Sequence, residues 1–332
     1  MFTNMLKDFL KAYGATGREA KISDVIRGYV SEKADEVYND VMGNLIAVRR
    51  GVSGRKIMLS AHMDQIGLIV LDIDEKGFLR VSNVGGVNPV ISVAREVVFE
   101  NGVRGVTFYE SNKGIAETTI AKLFVDIGAS TREEAEAKVS IGDMCVFATN
   151  YVDMGNRFAC GALDDRVCCA IVAECFNTAE SPHDIYAVFT VQEEVGLRGA
   201  TTAAYAISPD FGINLDVTLT GDIPECARMS VKLGEGPTIK VMDSSAIIPP
   251  YVRRYMEDVA KKHDIKVQNE VLRAGGTDAG AILKTKGGIP ACCVSVPTRY
   301  VHSPVEMADM GDCLGAVKFV NAMLAERELP KP

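Results

Sequence analysis

Apolar residues recur at helical spacing near the start of the chain, where Leu6, Phe9, Leu10 and Tyr13 mark one helix face. Short strand-like runs follow up to about residue 60. After about Gly161, segments of helical and strand length alternate again. This alternation predicts an α/β fold with a mostly parallel sheet and helices on both of its faces.

The stretch from about residue 68 to 150 has a different pattern. Short strands are separated by glycine, and TREEAEAKV is the one helical segment, with Thr131 as cap and Glu134 completing a capping box. Closely spaced strands with turn signals predict a small β barrel or sandwich. We expect residues 68–158 to be an inserted β-rich domain, either an oligomerisation domain or a small domain satisfied by its own core, and residues 1–67 and 159–332 to form one catalytic domain.

Acids and histidines stand directly after several apolar runs. The carboxyl ends of strands face the ligand crevice in α/β folds, so these distant residues are expected to meet in one site. They are His62 and Asp64 after KIMLSA, Glu193 and Glu194 after DIYAVFTVQ, Asp216 after FGINL, His302 after CCVSVPTRYV, and Asp164 with Asp165 at the start of a predicted helix.

The adjacent glutamates are the most telling of these residues. Two ionised carboxylates at a strand end repel each other unless a cation or a proton intervenes, so one can bind a metal while the other acts as general base. Their alternative is a solvated helix start. Ordinary alternatives stay open for the others: Asp164 and Asp165 as helix caps, Asp216 as a turn acid, His302 as a satisfied loop histidine, and His183 and His263 as surface histidines.

Composition and motifs narrow the possible classes. The net charge of -8 argues against nucleic-acid or membrane-surface binding, and no apolar run approaches the length of a membrane span. Nine cysteines without a C-x-x-C pair indicate buried free thiols in a reducing cytoplasm. H-E-x-x-H, G-x-S-x-G and Walker motifs are absent. Gly275, Gly276, Thr277 and Asp278 predict a tight turn that positions a substrate.

Seven segments along the chain form a pattern: SAHMDQIGLIV, LFVDIGAS, GALDDRV, VQEEVGLRGA, NLDVT, GGTDA and VPTRYVHSPVEM. Together these segments resemble the tetrahedral-type (TET) dinuclear metallo-aminopeptidases, the family of glutamyl aminopeptidases and of proteins labelled cellulase M. The resemblance covers nearly the whole chain in family order. It implies a zinc-exopeptidase-like α/β fold with an inserted β-barrel or PDZ-like domain, and assembly through dimers into twelve-subunit shells.

The resemblance also implies a role for each site residue. Two divalent metal ions would be bound, with Asp164 bridging them, and the enzyme would remove N-terminal residues from peptides. His62 and Asp216 would complete one metal site and Glu194 and His302 the other, while Glu193 would be the general base and Asp64 would orient His62. These ligand types suit zinc, cobalt or manganese.

Two positions depart from the family pattern. Gln65 stands where members often have glutamate, and Cys168 stands where glycine is usual; neither is an expected ligand. The cellulase label suggests an alternative, an endo-β-glucanase, whose chemistry needs two carboxylates roughly 5–10 Å apart across a sugar and no metal pair. A non-catalytic scaffold that has lost its activity is a third possibility.

Overall fold

The structure is a computed structural model that describes residues 2–110, 114–226 and 228–332. Its helices are α1 Phe2–Lys11, α2 Ala20–Val30, α3 Arg132–Glu136, α4 Leu163–Thr178, α5 Arg198–Ile207, α6 Pro250–Lys262, α7 Asp278–Leu283 and α8 Met310–Ala325, with short 3-10 turns at Ile115–Glu117 and Ile120–Lys122.

The strands are β1 Glu36–Asn39, β2 Leu45–Arg49, β3 Lys56–His62, β4 Gly67–Ile73, β5 Leu79–Val84, β6 Glu96–Phe99, β7 Arg104–Tyr109, β8 Leu123–Asp126, β9 Met144–Phe147, β10 Val152–Met154, β11 Arg157–Cys160, β12 Asp184–Thr190, β13 Phe211–Thr218, β14 Thr238–Met242, β15 Gln268–Val271, β16 Ala291–Arg299 and β17 Glu306–Asp309.

A large sheet forms the frame of the molecule, in the order β1-β2-β12-β3-β13-β16-β17-β11-β10, with β14 and β15 branching from β16. Its four central strands β12, β3, β13 and β16 are parallel, and the strands beside them are antiparallel. The predicted parallel sheet is therefore confirmed in its centre. Because the central strands run the same way, their carboxyl ends meet at one edge.

Helices cover both faces of this sheet, as predicted. The larger core packs α1, α2, α4, α6 and α8 on one face, and a smaller core packs α5 and α7 on the other. Strand β13 is buried along its whole length, since it has neighbours on both sides and helices above and below. In the sequence, a strand buried on both faces appears as a continuous apolar run rather than as an alternation of apolar and polar residues.

The β-rich stretch forms a closed barrel in the order β4-β5-β8-β7-β6-β9, which confirms the predicted barrel. It has its own core, in which Leu79, Val97 and Val125 are fully buried. The predicted cap of α3 is present, since the Thr131 hydroxyl accepts the Glu134 amide proton at 3.2 Å. After the barrel, β10 and β11 already belong to the large sheet. The division at residues 68 and 158 stays a prediction.

No helix within the described ranges has the length and apolar character needed to cross a bilayer. All nine cysteines are free thiols, and all but Cys226 are buried. Cys168, on α4, is fully buried among core residues, and Gln65 accepts a hydrogen bond from the buried Arg166 at 3.1 Å. Both departures from the family pattern therefore lie in packed interior positions.

Candidate active site

The central parallel strands carry the predicted residues to one edge of the sheet. His62 ends β3, Asp216 lies near the end of β13, and Glu193 and Glu194 follow β12. His302 lies in the loop after β16 and has a left-handed backbone conformation, with φ of 63°. The predicted convergence at the carboxyl ends is confirmed by this arrangement.

Asp164 lies between the two histidines. Its Oδ1 is 3.0 Å from Nε2 of His62, and its Oδ2 is 3.2 Å from Nε2 of His302. Asp164 and Asp165 lie in the first turn of α4, as the helix-start alternative expects, but the cap position is Ala162 and no side chain caps the helix there. The contacts of Asp164 to both histidines favour the metal-site interpretation for this residue.

The two glutamates point to different histidines. Oε2 of Glu193 is 3.8 Å from Nε2 of His62, and Oε2 of Glu194 is 3.3 Å from Nε2 of His302. Their side chains are only 10% and 5% exposed, so the alternative of a solvated helix start is wrong. The next helix begins four residues later, at Arg198.

Two groups of residues could each hold a metal ion. His62, Asp165 and Asp216 form one, and His62, Asp164 and Glu194 form the other; within each group the ligand atoms lie within 4.8 Å of one another. Oδ1 of Asp165 is buried without a hydrogen-bond partner, whereas its Oδ2 accepts the His62 amide proton at 3.3 Å. Nitrogen and carboxylate oxygen donors at this spacing fit a divalent transition metal.

Asp64 supports the site from beneath. Its carboxylate accepts the backbone N–H groups of Glu193 and Glu194 at 3.0 and 3.3 Å and the Thr16 hydroxyl at 2.9 Å. Nδ1 of His62 lies 3.2 Å from the Asp64 carbonyl oxygen and 3.4 Å from its carboxylate. One buried aspartate thus fixes both glutamates as well as the imidazole.

The electrostatics of the site favour a bound cation. Burial raises the pKa of Asp216 well above its usual range, and burial together with Asp216 does the same for Glu193. Burial lowers the pKa of His302, but hydrogen bonds to Asp164 and Glu194 outweigh it and raise that pKa to about 12. Carboxylates outnumber imidazoles here, so either protons or cations must balance the charge.

A cleft of about 600 Å³ opens above these residues. Gly275, Gly276 and Thr277 line it, as expected for a substrate-positioning turn. Asp278 does not line the cleft; it is 1% exposed and accepts a hydrogen bond from the Thr190 hydroxyl at 2.5 Å. The sequence placed it with the glycines because it follows them directly, whereas the first turn of α7 draws its side chain inward.

Comparison with known proteins identifies the family. The profile of the M42 glutamyl aminopeptidase family matches residues 43–319. The chain belongs to the M42 family. Family membership makes it a hydrolase of peptides, and its site occupies the strand ends at which the sequence predicted one.

Individual M42 relatives extend this result. A protein of Acetivibrio thermocellus, named provisionally as an aminopeptidase, is 48% identical over 96% of each chain. The lysyl aminopeptidase of Pyrococcus furiosus is 39% identical over 97% of this chain and 96% of its own. The structure of the Pyrococcus horikoshii TET1 peptidase matches with a TM-score of 0.87 and 31% identity, and the match covers 98% of this chain and 100% of that one. That peptidase is described as able to assemble into a tetrahedron or a large octahedral shell.

Two further structures bear on assembly and on the glucanase alternative. PhTET1-12s, a dodecamer in the asymmetric unit, has a TM-score of 0.88 and 32% identity over 98% of this chain and 99% of its own. A Thermotoga maritima protein described as an endoglucanase has a TM-score of 0.82 and 31% identity over 96% of each chain. The named relatives and the family profile make the M42 chain an aminopeptidase, so the glucanase name describes a relative and not this protein.

Sequence reasoning missed Glu306. This buried glutamate accepts the backbone N–H groups of Asp164 at 2.9 Å and of His302 at 2.8 Å, and so it joins two predicted ligands. Its only sequence signal is an acid four residues after His302 at the start of a short strand. His183 was expected at the surface but is 2% exposed, between Ser53 and the Glu326 carbonyl.

Proposed function

We propose that this M42 chain removes N-terminal residues from peptides with two divalent metal ions and a glutamate general base. The observation that carries the proposal is the meeting of His62, His302 and four carboxylates in the lining of one cleft. Zinc or cobalt fits the donor set best, with manganese as a further candidate.

Asp164 is the residue we assign to both ions. Its two carboxylate oxygens already face different histidines, 3.0 Å from His62 and 3.2 Å from His302. Asp216 would complete the site on the His62 side and Glu194 the site on the His302 side. When bound, such ions polarise the scissile carbonyl and lower the pKa of water.

Glu193 is placed to move the proton. It lines the cleft, its side chain is only 10% exposed, and burial raises its pKa well above the usual range of a carboxylate, which favours a role as general base. In the proposed reaction Glu193 takes a proton from the attacking water and transfers it to the amine that leaves. Asp64 holds the Glu193 backbone in place during both transfers.

The same acidic floor favours a substrate with a free amino end. A free amino group can pair with the carboxylates of the floor when it is protonated, or bind a metal ion when it is neutral. An acetylated amino group carries no charge and has no free amine to bind a metal ion. Chelation should therefore abolish cleavage of a free peptide, a divalent transition metal should restore it, and the acetylated peptide should stay intact under all conditions. Full cleavage by the metal-free protein, or steady internal cleavage of the acetylated peptide, would contradict the proposal.

Other activities fit the site less well. A glucanase needs two carboxylates facing each other across a sugar, and it would leave the two histidines that bracket Asp164 without a purpose. A scaffold that has lost activity would not need Glu193 buried beside His62. A soluble β-glucan should therefore remain uncut in the same assay. The nine free cysteines fit a cytoplasmic location.

We also propose that the chain assembles into a homo-oligomer, since the TET1 structures are described as a dodecamer and as able to form a tetrahedron or a large octahedral shell, and that the barrel mediates this assembly. Val106 and Phe108 on β7 are 50% and 44% exposed, and Leu71 on β4 is 57% exposed. Light scattering should give a mass well above the 35.8 kDa of one chain. Val106→Glu with Phe108→Glu should lower it, whereas Tyr205→Glu, on α5, should not. A monomer with full activity would refute assembly but not the chemistry.

A further inference from the structure

We propose that the cleft selects an uncharged, apolar N-terminal residue, and that Leu219 and Leu272 are the residues that set this preference. The inference deepens the proposed aminopeptidase activity and rests on it. The walls of the cleft above the acidic floor are apolar, and they are formed by Leu197, Val217, Leu219, Leu272, Ala274 and Val301.

Two segments supply most of these apolar residues. The end of β13 and the residues after it supply Val217 and Leu219, and the loop after β15 supplies Leu272 and Ala274. Leu219 is 46% exposed, so a large apolar surface is open to the cleft rather than packed away. Covering such surface with an apolar substrate side chain is favourable by about 25 cal/mol per Å².

A charged substrate side chain finds no free partner in this cleft. Among the described residues that line it, none is lysine or arginine, so a glutamyl side chain would be desolvated without a counter-ion. The lining acids are Asp164, Glu193, Glu194 and Asp216, all of which belong to the metal centre or to proton transfer. A lysyl side chain would therefore have to compete with the metal ions for them.

The turn at Thr277, next to the wall after β15, is held from behind. The Thr277 hydroxyl donates to Asp243 at 2.9 Å, and the Ser245 hydroxyl donates to Asp243 at 2.8 Å and contacts the Thr277 carbonyl at 3.1 Å. Lys240, fully buried, lies 3.7 Å from Asp243. A preformed turn does not lose ordering entropy when the substrate binds.

The test compares metal-loaded protein on leucyl, alanyl, glutamyl and lysyl p-nitroanilides. We expect kcat/KM for the leucyl substrate to exceed that for alanyl by about tenfold or more, and that for glutamyl and lysyl by about 100-fold. Turnover with glutamyl or lysyl preferred would overturn the specificity and leave the aminopeptidase proposal standing. No turnover of any of the four substrates would overturn both.

Paired charge variants then assign the residues. Leu219→Lys should raise the glutamyl-to-leucyl ratio of kcat/KM by about tenfold, and Leu219→Glu should raise the lysyl-to-leucyl ratio equally, since the apolar substrate loses a contact while the charged one gains a partner. Leu272→Lys and Leu272→Glu should change the two ratios in the same way. Leu314→Lys, at a leucine on α8 that is 49% exposed and does not line the cleft, should change neither ratio. Equal losses on every substrate would refute the assignment.

Discussion

The two sides of the proposed metal centre are built in different ways. The inner group, His62, Asp165 and Asp216, lies at the ends of β3 and β13 and at the start of α4, and its members are at most 6% exposed. The outer group, Glu194 and His302, lies on loops, and the His302 side chain is 35% exposed. Asp164 stands between them.

The difference shows what each side depends on. The inner group is fixed by the sheet itself, whereas Nδ1 of His302 lies 3.1 Å from the Gly86 carbonyl, in the segment after barrel strand β5. The segment after β5 therefore contacts the outer group directly. We infer that an ion on the outer side exchanges faster and responds more strongly to changes in the barrel.

Removal of the shared ligand should have the largest effect. Asp164→Ala takes a carboxylate oxygen from both sides at once, so both ions and all measurable activity should be lost. Metal analysis of the purified variant checks this, with Asp258→Ala on the exposed face of α6 as the control. Retention of one tightly bound ion would mean that Asp164 serves only one side.

The adjacent glutamates should separate proton transfer from metal binding. Glu193→Gln should keep about two ions per chain and lower kcat by about 10²–10⁴-fold, the usual worth of a general base. Glu194→Gln should instead lower metal content on the outer side. The measurement is metal content beside turnover for both variants, and equal metal loss in the two would show that the roles are wrongly divided.

The histidines should reveal the asymmetry directly. His302→Ala should release the outer ion and leave the inner one, and a chelator should remove one ion from the unmodified protein well before the other. His62→Ala should instead release the inner ion, because the proposed assignment places that ion beside His62 and Asp216. Stopped-flow chelation with a metal indicator follows the two phases. A single phase for both ions would contradict the comparison.

Gly86 should connect the barrel to the outer group. A Cβ at this position would lie 2.5 Å from Nδ1 of His302, so Gly86→Ala must move the imidazole. We expect weaker binding of the outer ion and activity lowered by about tenfold, since ligand-orienting contacts are worth 10–100-fold. Gly114→Ala, in the loop between β7 and β8 and with no described atom beyond its chain neighbours within 4 Å of the added Cβ, is the control. Unchanged affinity for the outer ion would show that Gly86 does not connect the barrel to the outer group.

The smallest of the expected effects is the release of protons when a metal ion binds. In the metal-free protein the pKa of His302 is raised to about 12, so the imidazole holds a proton at neutral pH, and burial raises the pKa of Asp216 well above its usual range. A metal ion requires the neutral imidazole and the ionised carboxylate, so binding should release protons and weaken as pH falls. Calorimetry in two buffers of different ionisation enthalpy measures the release, and none at pH 7 would contradict the charge balance.

The positions of the inner-group residues could be predicted from the sequence more completely than the residues that surround them. His62 and Asp216 follow apolar runs, and the carboxyl ends of parallel strands meet, so pattern alone brings them together. Glu306 and Thr16 could not be found this way. Their contacts to Asp164 and Asp64 join segments 142 and 48 residues apart, and only the folded chain brings donor and acceptor together.

The glycine-rich turn shows the same limit. Gly275 and Gly276 were predicted at the cleft because such turns let backbone approach a ligand, and they lie there. The direction of the Asp278 side chain depended on where α7 begins and on the Thr190 hydroxyl on a neighbouring strand, which no local pattern specifies.

The most direct test of the account is anomalous diffraction from crystals of the zinc-loaded or cobalt-loaded protein, recorded at the absorption edge of the metal. The account predicts two peaks about 3.5–4 Å apart, on opposite sides of Asp164, one beside His62 and Asp216 and the other beside Glu194 and His302. A single peak, or a pair that Asp164 does not touch, would contradict it.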